Sequence, residues 1–161
     1  MNTQVNPKYK ILVVDDDLDL NTSIALLLEF DGHEVQTAYT GEAALKLLAK
    51  SHFDLMISEY WLPLMKGTEL AALVRHKCPD LPIIMVTNDV AEINMDEHPI
   101  TGISCLLDKP FSMDQLREAM RWAMGHNAER QAEDLEIHWV HRGRHAVPDR
   151  PQDTASDSDD F

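Results

Sequence analysis

Basic residues are scarce in this sequence. Its 161 residues contain 14 lysines and arginines against 28 aspartates and glutamates, which gives a formal net charge of -14 with histidine neutral. So acidic a chain repels phosphate groups, which argues against direct binding to nucleic acid or to anionic lipid. Long apolar runs are also lacking, since none approaches the roughly 20 residues that span a bilayer. We therefore expect no nucleic-acid partner and no membrane association.

Cysteine is nearly absent. The two cysteines, Cys78 and Cys105, show neither the spacing of a zinc site nor the pattern of a disulfide framework. The start of the chain is polar, and the apolar run behind it is too short for a signal peptide. These features indicate a reducing, cytoplasmic location.

The hydrophobic fraction of 44% is that of a globular protein, and the length suits one domain plus an extension. We expect an N-terminal arm over residues 1–8, a domain over 9–125, and a disordered acidic tail over 146–161. In residues 126–145 a helical period predicts a helical extension to about His141. That helix would either cover part of the domain or serve as a dimer or partner helix.

Short apolar runs alternate with amphipathic stretches through the predicted domain. Strands alternating with helices imply right-handed crossovers and a parallel sheet, so the fold class is α/β. The count is five strands and about five helices, including one short helix within residues 88–101 that ends before Pro99. The five predicted strands are Ile11–Val14, Glu34–Thr37, Asp54–Ser58, Leu81–Val86 and Ile103–Leu107.

Two helix starts carry recognisable signals. Asp17 stands where an N-cap is expected, and Ser112 with Gln115 forms a capping-box pattern. Asp15 and Asp16 could likewise be acids that a helix N-terminus favours. The reactive residues Thr87 and Lys109 at other strand ends indicate that these two acids also belong to a functional site.

Reactive side chains follow four of the apolar runs. Asp15 and Asp16 come after the first, Glu59 after the third, Thr87 after the fourth and Lys109 after the fifth. Because open α/β sheets place their chemistry along the carboxyl edge of the strands, we expect these groups to form one site.

The residue types in this set point to phosphoryl chemistry. Adjacent carboxylates at Asp15 and Asp16 repel each other, and Mg²⁺, which prefers hard oxygen ligands, relieves that repulsion. Lys109 supplies a point charge and Thr87 a hydroxyl donor, and both suit a phosphoryl group on an acceptor carboxylate. The pattern therefore predicts a site for phosphoryl transfer to an acid, with Glu59 at the acceptor position.

At these residues the chain resembles the response-regulator receiver domain of two-component signalling. The matching segments keep their order and spacing over about residues 9–124, and five motifs in register are a specific signal. The five motifs are residues 13–17, residues 54–59, the segment of Leu62-Pro63 and Met65-Lys66-Gly67, residues 82–87, and residues 108–111. The resemblance implies a flavodoxin-like, doubly wound, five-stranded parallel sheet of order 2-1-3-4-5.

The resemblance also implies roles for single residues. Asp15, Asp16 and position 59 would hold Mg²⁺, position 59 would accept the phosphoryl group, and Thr87 and Lys109 would contact its oxygens. The implied partner is a protein such as a histidine kinase, a phosphotransfer protein or an output protein, and a homodimer is a further expectation.

Two positions depart from the family pattern. Glu59 stands where the family has aspartate, which moves the carboxylate outward by roughly one bond length, of order 1.5 Å. Leu106 stands where the family usually has an aromatic residue that moves together with the threonine, so the switch pair here is Thr87 and Leu106. Two arrangements stay open: Mg²⁺ bound by Asp15, Asp16 and Glu59, or Glu59 paired with Lys109, which would weaken Mg²⁺ binding.

We therefore expect a stand-alone, atypical receiver module that is not an enzyme and that acts by phosphorylation-independent protein interaction. Residues 126–161 are too few for an output domain, so the output would pass through a partner, another chain or the tail. One alternative is a working phosphorelay receiver with Glu59 or another residue as acceptor. A second is a phosphatase similar to haloacid dehalogenases, which Asp15 and Asp17 resemble; the acidic metal pair which that family needs after the lysine has a match only at Asp157–Asp160.

Overall fold

The computed structural model of the protein describes residues 7–88, 102–125 and 138–140. Within these ranges no helix is both long and apolar enough to cross a membrane. The elements follow one another in the chain as β1 (Lys10–Val14), α1 (Leu18–Phe30), β2 (Glu34–Ala38), α2 (Gly41–Lys50), β3 (Leu55–Glu59), β4 (Trp61–Leu62), β5 (Met65–Lys66), α3 (Gly67–Lys77), β6 (Ile83–Thr87), β7 (Cys105–Asp108), α4 (Met113–Gly125) and β8 (His138–Val140).

The main sheet is parallel and has the order β2-β1-β3-β6-β7-β8 in the described residues. Five of these strands, namely β2, β1, β3, β6 and β7, are the five predicted from the apolar runs. They have the flavodoxin-like order that the resemblance implies. Register places Glu59 opposite Val86, and Thr87 opposite Asp108. The ends of β3, β6 and β7 therefore lie side by side at one edge.

Two hydrophobic cores enclose this sheet, one on each face. Leu12, Met56 and Met85 belong to one core, while Ile11, Ile57 and Ile84 belong to the other. Side chains alternate between the faces of a strand, so a strand covered on both faces must be apolar at every position. That requirement explains why β1, β3 and β6 are continuous apolar runs in the sequence.

The predicted helix signals are confirmed. The carboxylate of Asp17 accepts from the N–H groups of Asp19 and Leu20 at 3.1 and 3.0 Å, so it caps α1. The Ser112 N–H donates to Gln115 at 2.8 Å, and the Gln115 N–H donates to the Ser112 hydroxyl at 3.2 Å, which completes the capping box of α4.

Gly67 is the first residue of α3 and lies beside the end of β3. Its N–H donates to the carbonyl of Tyr60 at 2.6 Å. A Cβ at this position would meet the carbonyl oxygen of Glu59 and the sulfur of Met85. Glycine therefore lets the start of α3 pack against the strand that carries Glu59.

Two features of the fold were not predicted from the sequence. β4 and β5 form a small antiparallel hairpin between β3 and α3. At the far edge, β8 pairs in parallel with β7, with His138, Trp139 and Val140 opposite Cys105, Leu106 and Leu107.

The predicted C-terminal helix is wrong over residues 138–140, which form a strand. Trp139 fits a helical period in the sequence. Pairing with a free edge of the sheet, however, satisfies the backbone hydrogen-bonding groups of three residues at once. The rest of the predicted extension within 126–145, the short helix predicted within 88–101 and the acidic tail over 146–161 lie outside the described residues.

Candidate functional site

Three of the predicted site residues meet in one buried cluster: Asp15 after β1, Glu59 at the end of β3 and Lys109 after β7. The Lys109 ammonium donates to Asp15 Oδ2 at 3.0 Å and also forms a close ion pair with Glu59 Oε2. Side-chain exposure is 11% for Lys109 and 5% for each carboxylate. A single ammonium therefore bridges two buried acids.

The second oxygen of each carboxylate is also engaged. Glu59 Oε1 accepts from the main-chain N–H of Trp61 at 3.0 Å. Asp15 Oδ1 accepts from the main-chain N–H of Asp17 at 2.9 Å. Each acid is thus held at both oxygens, once by the backbone that follows it and once by Lys109.

The pKa of Lys109 is raised above its ordinary value. Burial disfavours the charged ammonium and by itself would lower this pKa, but the hydrogen bonds to Glu59 and then to Asp15 outweigh burial. A folded-state pKa above the unfolded value means that the pairing stabilises the fold at every pH below the unfolded pKa of about 10.4. The ammonium of Lys109 is therefore charged at neutral pH.

The other predicted site residues are Asp16, Thr87 and Leu106. Asp16 is exposed, and none of the described ion pairs or hydrogen bonds involves its carboxylate. Thr87 is fully buried at the end of β6, and its carbonyl accepts from the Lys109 N–H at 2.7 Å, which fixes the backbone of Lys109 beside β6. Leu106 lies inside the core opposite Met85.

Asn21 is a site residue that sequence reasoning missed. Although it is fully buried on α1, its side-chain amide donates to the carbonyl oxygens of Asp15 and Ala38, both at 2.9 Å. The Asp15 N–H also donates to Ala38 at 3.1 Å. This amide therefore ties the ends of β1 and β2 behind the acid cluster. The available signal was a polar residue next to Ile24 and Leu28 on the apolar face of the helix.

An apolar surface lies beside the cluster on the β4–β5 hairpin. Trp61 is partly exposed, stands at right angles to Tyr60 and lies under the Lys66 ammonium at 5.3 Å. Leu64 at the tip is fully exposed and has a φ of 69°, a region that branched residues rarely adopt. The residue that binds Glu59 through its N–H thus also presents its ring to solvent.

The predicted magnesium ligands Asp15, Asp16 and Glu59 have the carboxylate chemistry that Mg²⁺ prefers. Mg²⁺ requires oxygen ligands at about 2.1 Å in an octahedron. In this structure both buried carboxylates bind the ammonium of Lys109. Across residues 7–88, 102–125 and 138–140, no three histidine, cysteine, aspartate or glutamate side chains are placed to hold a metal ion. Of the two arrangements that the sequence left open, the structure contains the Glu59–Lys109 pair.

Comparison with known proteins identifies the domain family to which the residues around this site belong. The sequence profile described as "Response regulator receiver domain" matches residues 11–121. The response regulator protein FleR of Pseudomonas aeruginosa is 35% identical over 117 residues, which are 72% of this chain and 25% of FleR. Response regulator MprA of Mycobacterium ulcerans is 33% identical over 116 residues, 70% of this chain and 48% of MprA. The chain thus spans between a quarter and a half of the length of these relatives.

Solved structures share the fold over nearly their whole length. The chemotaxis response regulator CheY4 of Vibrio cholerae superimposes with a TM-score of 0.65 at 31% identity, covering 71% of this chain and 98% of CheY4. A CheY-like receiver domain protein of Methanospirillum hungatei gives a TM-score of 0.70 at 29% identity, with coverage of 77% and 99%. TrrA of Thermotoga maritima, solved in complex with Mg²⁺ and BeF, gives 0.64 at 30% identity, with coverage of 71% and 97%.

Proposed function

Because this chain belongs to the response regulator receiver domain family of two-component signalling, we propose that it is a receiver in which Glu59 replaces the acceptor aspartate. We further propose that it signals by protein interaction and not by phosphorylation. The single observation that carries the proposal is the Lys109 bridge between Glu59 and Asp15.

Two features of Glu59 oppose phosphoryl transfer to it: its bound oxygens and the length of its side chain. An attacking carboxylate oxygen must be free and in line with the phosphodonor, whereas both oxygens of Glu59 are bound, one by Lys109 and one by Trp61. The extra methylene also displaces the carboxylate by roughly 1.5 Å relative to aspartate. Misplacement of about 1 Å can already cost on the order of 100-fold in rate.

The switch pair supports the same conclusion. Leu106 is packed in the core and carries no hydroxyl group that could exchange between solvent and interior. Moving it outward would expose apolar surface without any compensating hydrogen bond. Leu106 therefore favours one fixed position for the strand β7 that carries it.

Asp15, Asp16 and Glu59 are the residues that would hold Mg²⁺ in this family setting, and the cation would neutralise charge near a phosphoryl group. In this chain, the single positive charge of Lys109 is bound to both buried acids. We accordingly propose signalling that does not depend on the metal.

The partner that this proposal implies is a protein, such as a kinase, a phosphotransfer protein or an output protein. The exposed ring of Trp61 and the exposed side chain of Leu64 support a protein-binding surface next to the acid cluster. Because the Trp61 N–H binds Glu59, a partner on this hairpin would contact the backbone that the cluster holds in place.

Phosphodonor labelling tests the proposal. The purified full chain is incubated with radiolabelled acetyl phosphate and Mg²⁺, alongside Glu59→Asp and Glu59→Gln variants. We expect no label on the wild-type chain or on Glu59→Gln, and label on Glu59→Asp, because aspartate restores the family's reach.

The pattern of labelling also separates the rival receiver. Label on the wild-type chain that disappears in Glu59→Gln would make Glu59 a working acceptor and refute the proposal. Label that persists in Glu59→Gln would place the acceptor at another residue. If Glu59→Asp stays unlabelled, the site is defective beyond position 59.

A further inference from the structure

We propose that a cavity at the amino edge of the sheet is a docking site for residues 153–161 of this chain's own acidic tail. The cavity has a volume of about 310 Å³ and lies between the residues that precede β1 and β2 and one face of α4. This volume falls in the size range of ligand pockets. The acid cluster lies at the opposite, carboxyl edge, so this docking site is separate from the proposed function.

The floor of the cavity is apolar. Met120 is buried, Tyr9 and Met124 are partly buried, and all three pack in the hydrophobic core on the α4 side of the sheet. The Tyr9 ring stacks on the His33 imidazole, with 5.5 Å between the ring centroids. Thioethers make favourable contacts with aromatic rings. The floor therefore suits an aromatic side chain.

The rim of the cavity offers groups that bind a carboxylate. Arg117 donates to Asp31 at 2.7 and 2.8 Å, so the charges of these two lining residues offset each other. Arg121 lies one turn further along α4, is exposed and belongs to none of the described ion pairs. His33 Nδ1 accepts from the Tyr9 N–H at 3.2 Å, so the neutral ring carries its proton on Nε2. A guanidinium and a ring N–H thus accompany the apolar floor.

Residues 153–161 have the matching chemistry. The segment is Asp-Thr-Ala-Ser-Asp-Ser-Asp-Asp-Phe, which contains four aspartates, one aromatic residue and no lysine or arginine. Phe161 directly follows Asp159 and Asp160. An aromatic ring beside two carboxylates is what an apolar floor next to Arg121 would bind.

The tail is long enough to reach this site from β8. Three strands separate β1 from β8, and neighbouring strands are about 4.8 Å apart, so the two strands are roughly 19 Å from each other. Crossing from one edge of the sheet to the other adds roughly 17 Å along a five-residue strand. Residues 141–161 span up to roughly 70 Å when extended.

A second cavity, of about 610 Å³ between the ends of α2 and α3, matches the tail less well. Asp54 and Asp80 line it together with Lys50 and Lys77. The two acids would repel the aspartates of the tail. Charge complementarity therefore favours the cavity beside Arg121.

Tethering makes a weak contact sufficient. A segment on the same chain acts at an effective concentration of millimolar order, so docking needs only modest intrinsic affinity. Exposed ion pairs contribute little to folding stability. Docking is therefore detected in the order of the tail and not in the stability of the domain.

NMR relaxation of the full-length chain, labelled with ¹⁵N and ¹³C, tests this inference. The variants are Arg121→Glu, which reverses the charge at the rim, and Phe161→Ser, which removes the ring and changes no described residue. Lys77→Glu is the matched control, because Lys77 is likewise an exposed cation near the end of a helix but lines the second cavity.

We expect amide order parameters above about 0.6 at residues 159–161 in the wild type and in Lys77→Glu, and values below about 0.6 in Arg121→Glu and Phe161→Ser. Nuclear Overhauser contacts should join the Phe161 ring to the methyl groups of Met120 and Met124 in the wild type. Both variants should lose these contacts.

A wild-type tail that stays below this order and shows no contact from the Phe161 ring would overturn the inference. Order at residues 159–161 that is unchanged in Arg121→Glu would overturn it as well. Contacts from Phe161 to the Leu48 methyl groups would assign the tail to the second cavity instead. Order that is lost on dilution would show docking onto a second copy of the chain, which also contradicts docking within one chain.

Discussion

The side-chain amide of Asn21 donates to the main-chain carbonyl of Asp15 at 2.9 Å from inside the core. The same amide binds the carbonyl of Ala38 at the same distance, so one residue of α1 links the ends of β1 and β2. This buried link supports the acid cluster, because Asp15 directly follows β1 and is one of the two acids of the cluster.

Asn21→Ala should lower the free energy of unfolding by about 1–3 kcal/mol, because the buried carbonyl of Asp15 loses its donor. Urea denaturation measures this loss. Ser23→Ala on the same helix is the control, since its exposed hydroxyl donates to the carbonyl of Asp19 one turn earlier, and it should change stability by no more than about 0.5 kcal/mol. Equal effects of the two substitutions would argue against a special role for Asn21.

Gly67→Ala should destabilise the protein by about 1–3 kcal/mol, because its Cβ would press on the Glu59 carbonyl and on Met85. The natural control is Gly125→Ala at the end of α4, where no atom of the described residues lies within 4 Å of a new Cβ. Thermal unfolding should show a lower Tm for the first variant and an unchanged or slightly higher Tm for the second. A Gly67→Ala variant as stable as wild type would mean that α3 can move away from β3 freely.

The Asp31–Arg117 pair predicts a pH dependence of stability. The hydrogen bonds from Arg117, at 2.7 and 2.8 Å, are the main cause that lowers the pKa of Asp31 below its ordinary value. The unfolded chain therefore binds more protons than the folded chain at acid pH. The stabilisation is complete above the unfolded pKa of about 3.9 and is lost as pH falls through the lower folded pKa.

Arg117→Met should accordingly be less stable than the wild type at neutral pH, and the difference should shrink below about pH 4. Urea denaturation across pH 2.5–7 measures it. Arg121→Met, one turn further along α4, is the control, because none of the described ion pairs includes Arg121. A difference that stays constant down to the lowest pH would show that Arg117 acts through packing and not through Asp31.

Deletion of residues 126–161 should increase self-association. β8 pairs with β7 along three residues, and its removal leaves the backbone groups of β7 free to pair with another chain. Sedimentation velocity over a concentration series should show a larger average mass than for the full chain. Deleting only residues 146–161 keeps β8 and should leave association unchanged. Identical behaviour of the two deletions would remove β8 from the explanation.

Local sequence patterns were sufficient to predict most of the helices and strands. Continuous apolar runs marked β1, β3 and β6, because strands covered on both faces tolerate no polar position. The caps at Asp17 and Ser112 were also readable, since a cap depends on residues no more than three apart. Asn21 was missed because its value lies in two carbonyls of other strands, and the strand at 138–140 was missed because the free edge of β7 does not appear in its own sequence.

The sequence by itself determined that acids, a threonine and a lysine follow successive buried strands, and that a parallel sheet brings them to one edge. Only the tertiary structure decided what Glu59 binds. Its partners Trp61 and Lys109 are two and fifty residues away in the sequence. Asp15, the other acid that binds Lys109, is 94 residues away from Lys109. Which oxygen meets which donor depends on differences of about an ångström between strands, and hydrogen bonds are lost beyond roughly 3.5 Å. That distance is set by how the whole sheet packs and by no local pattern.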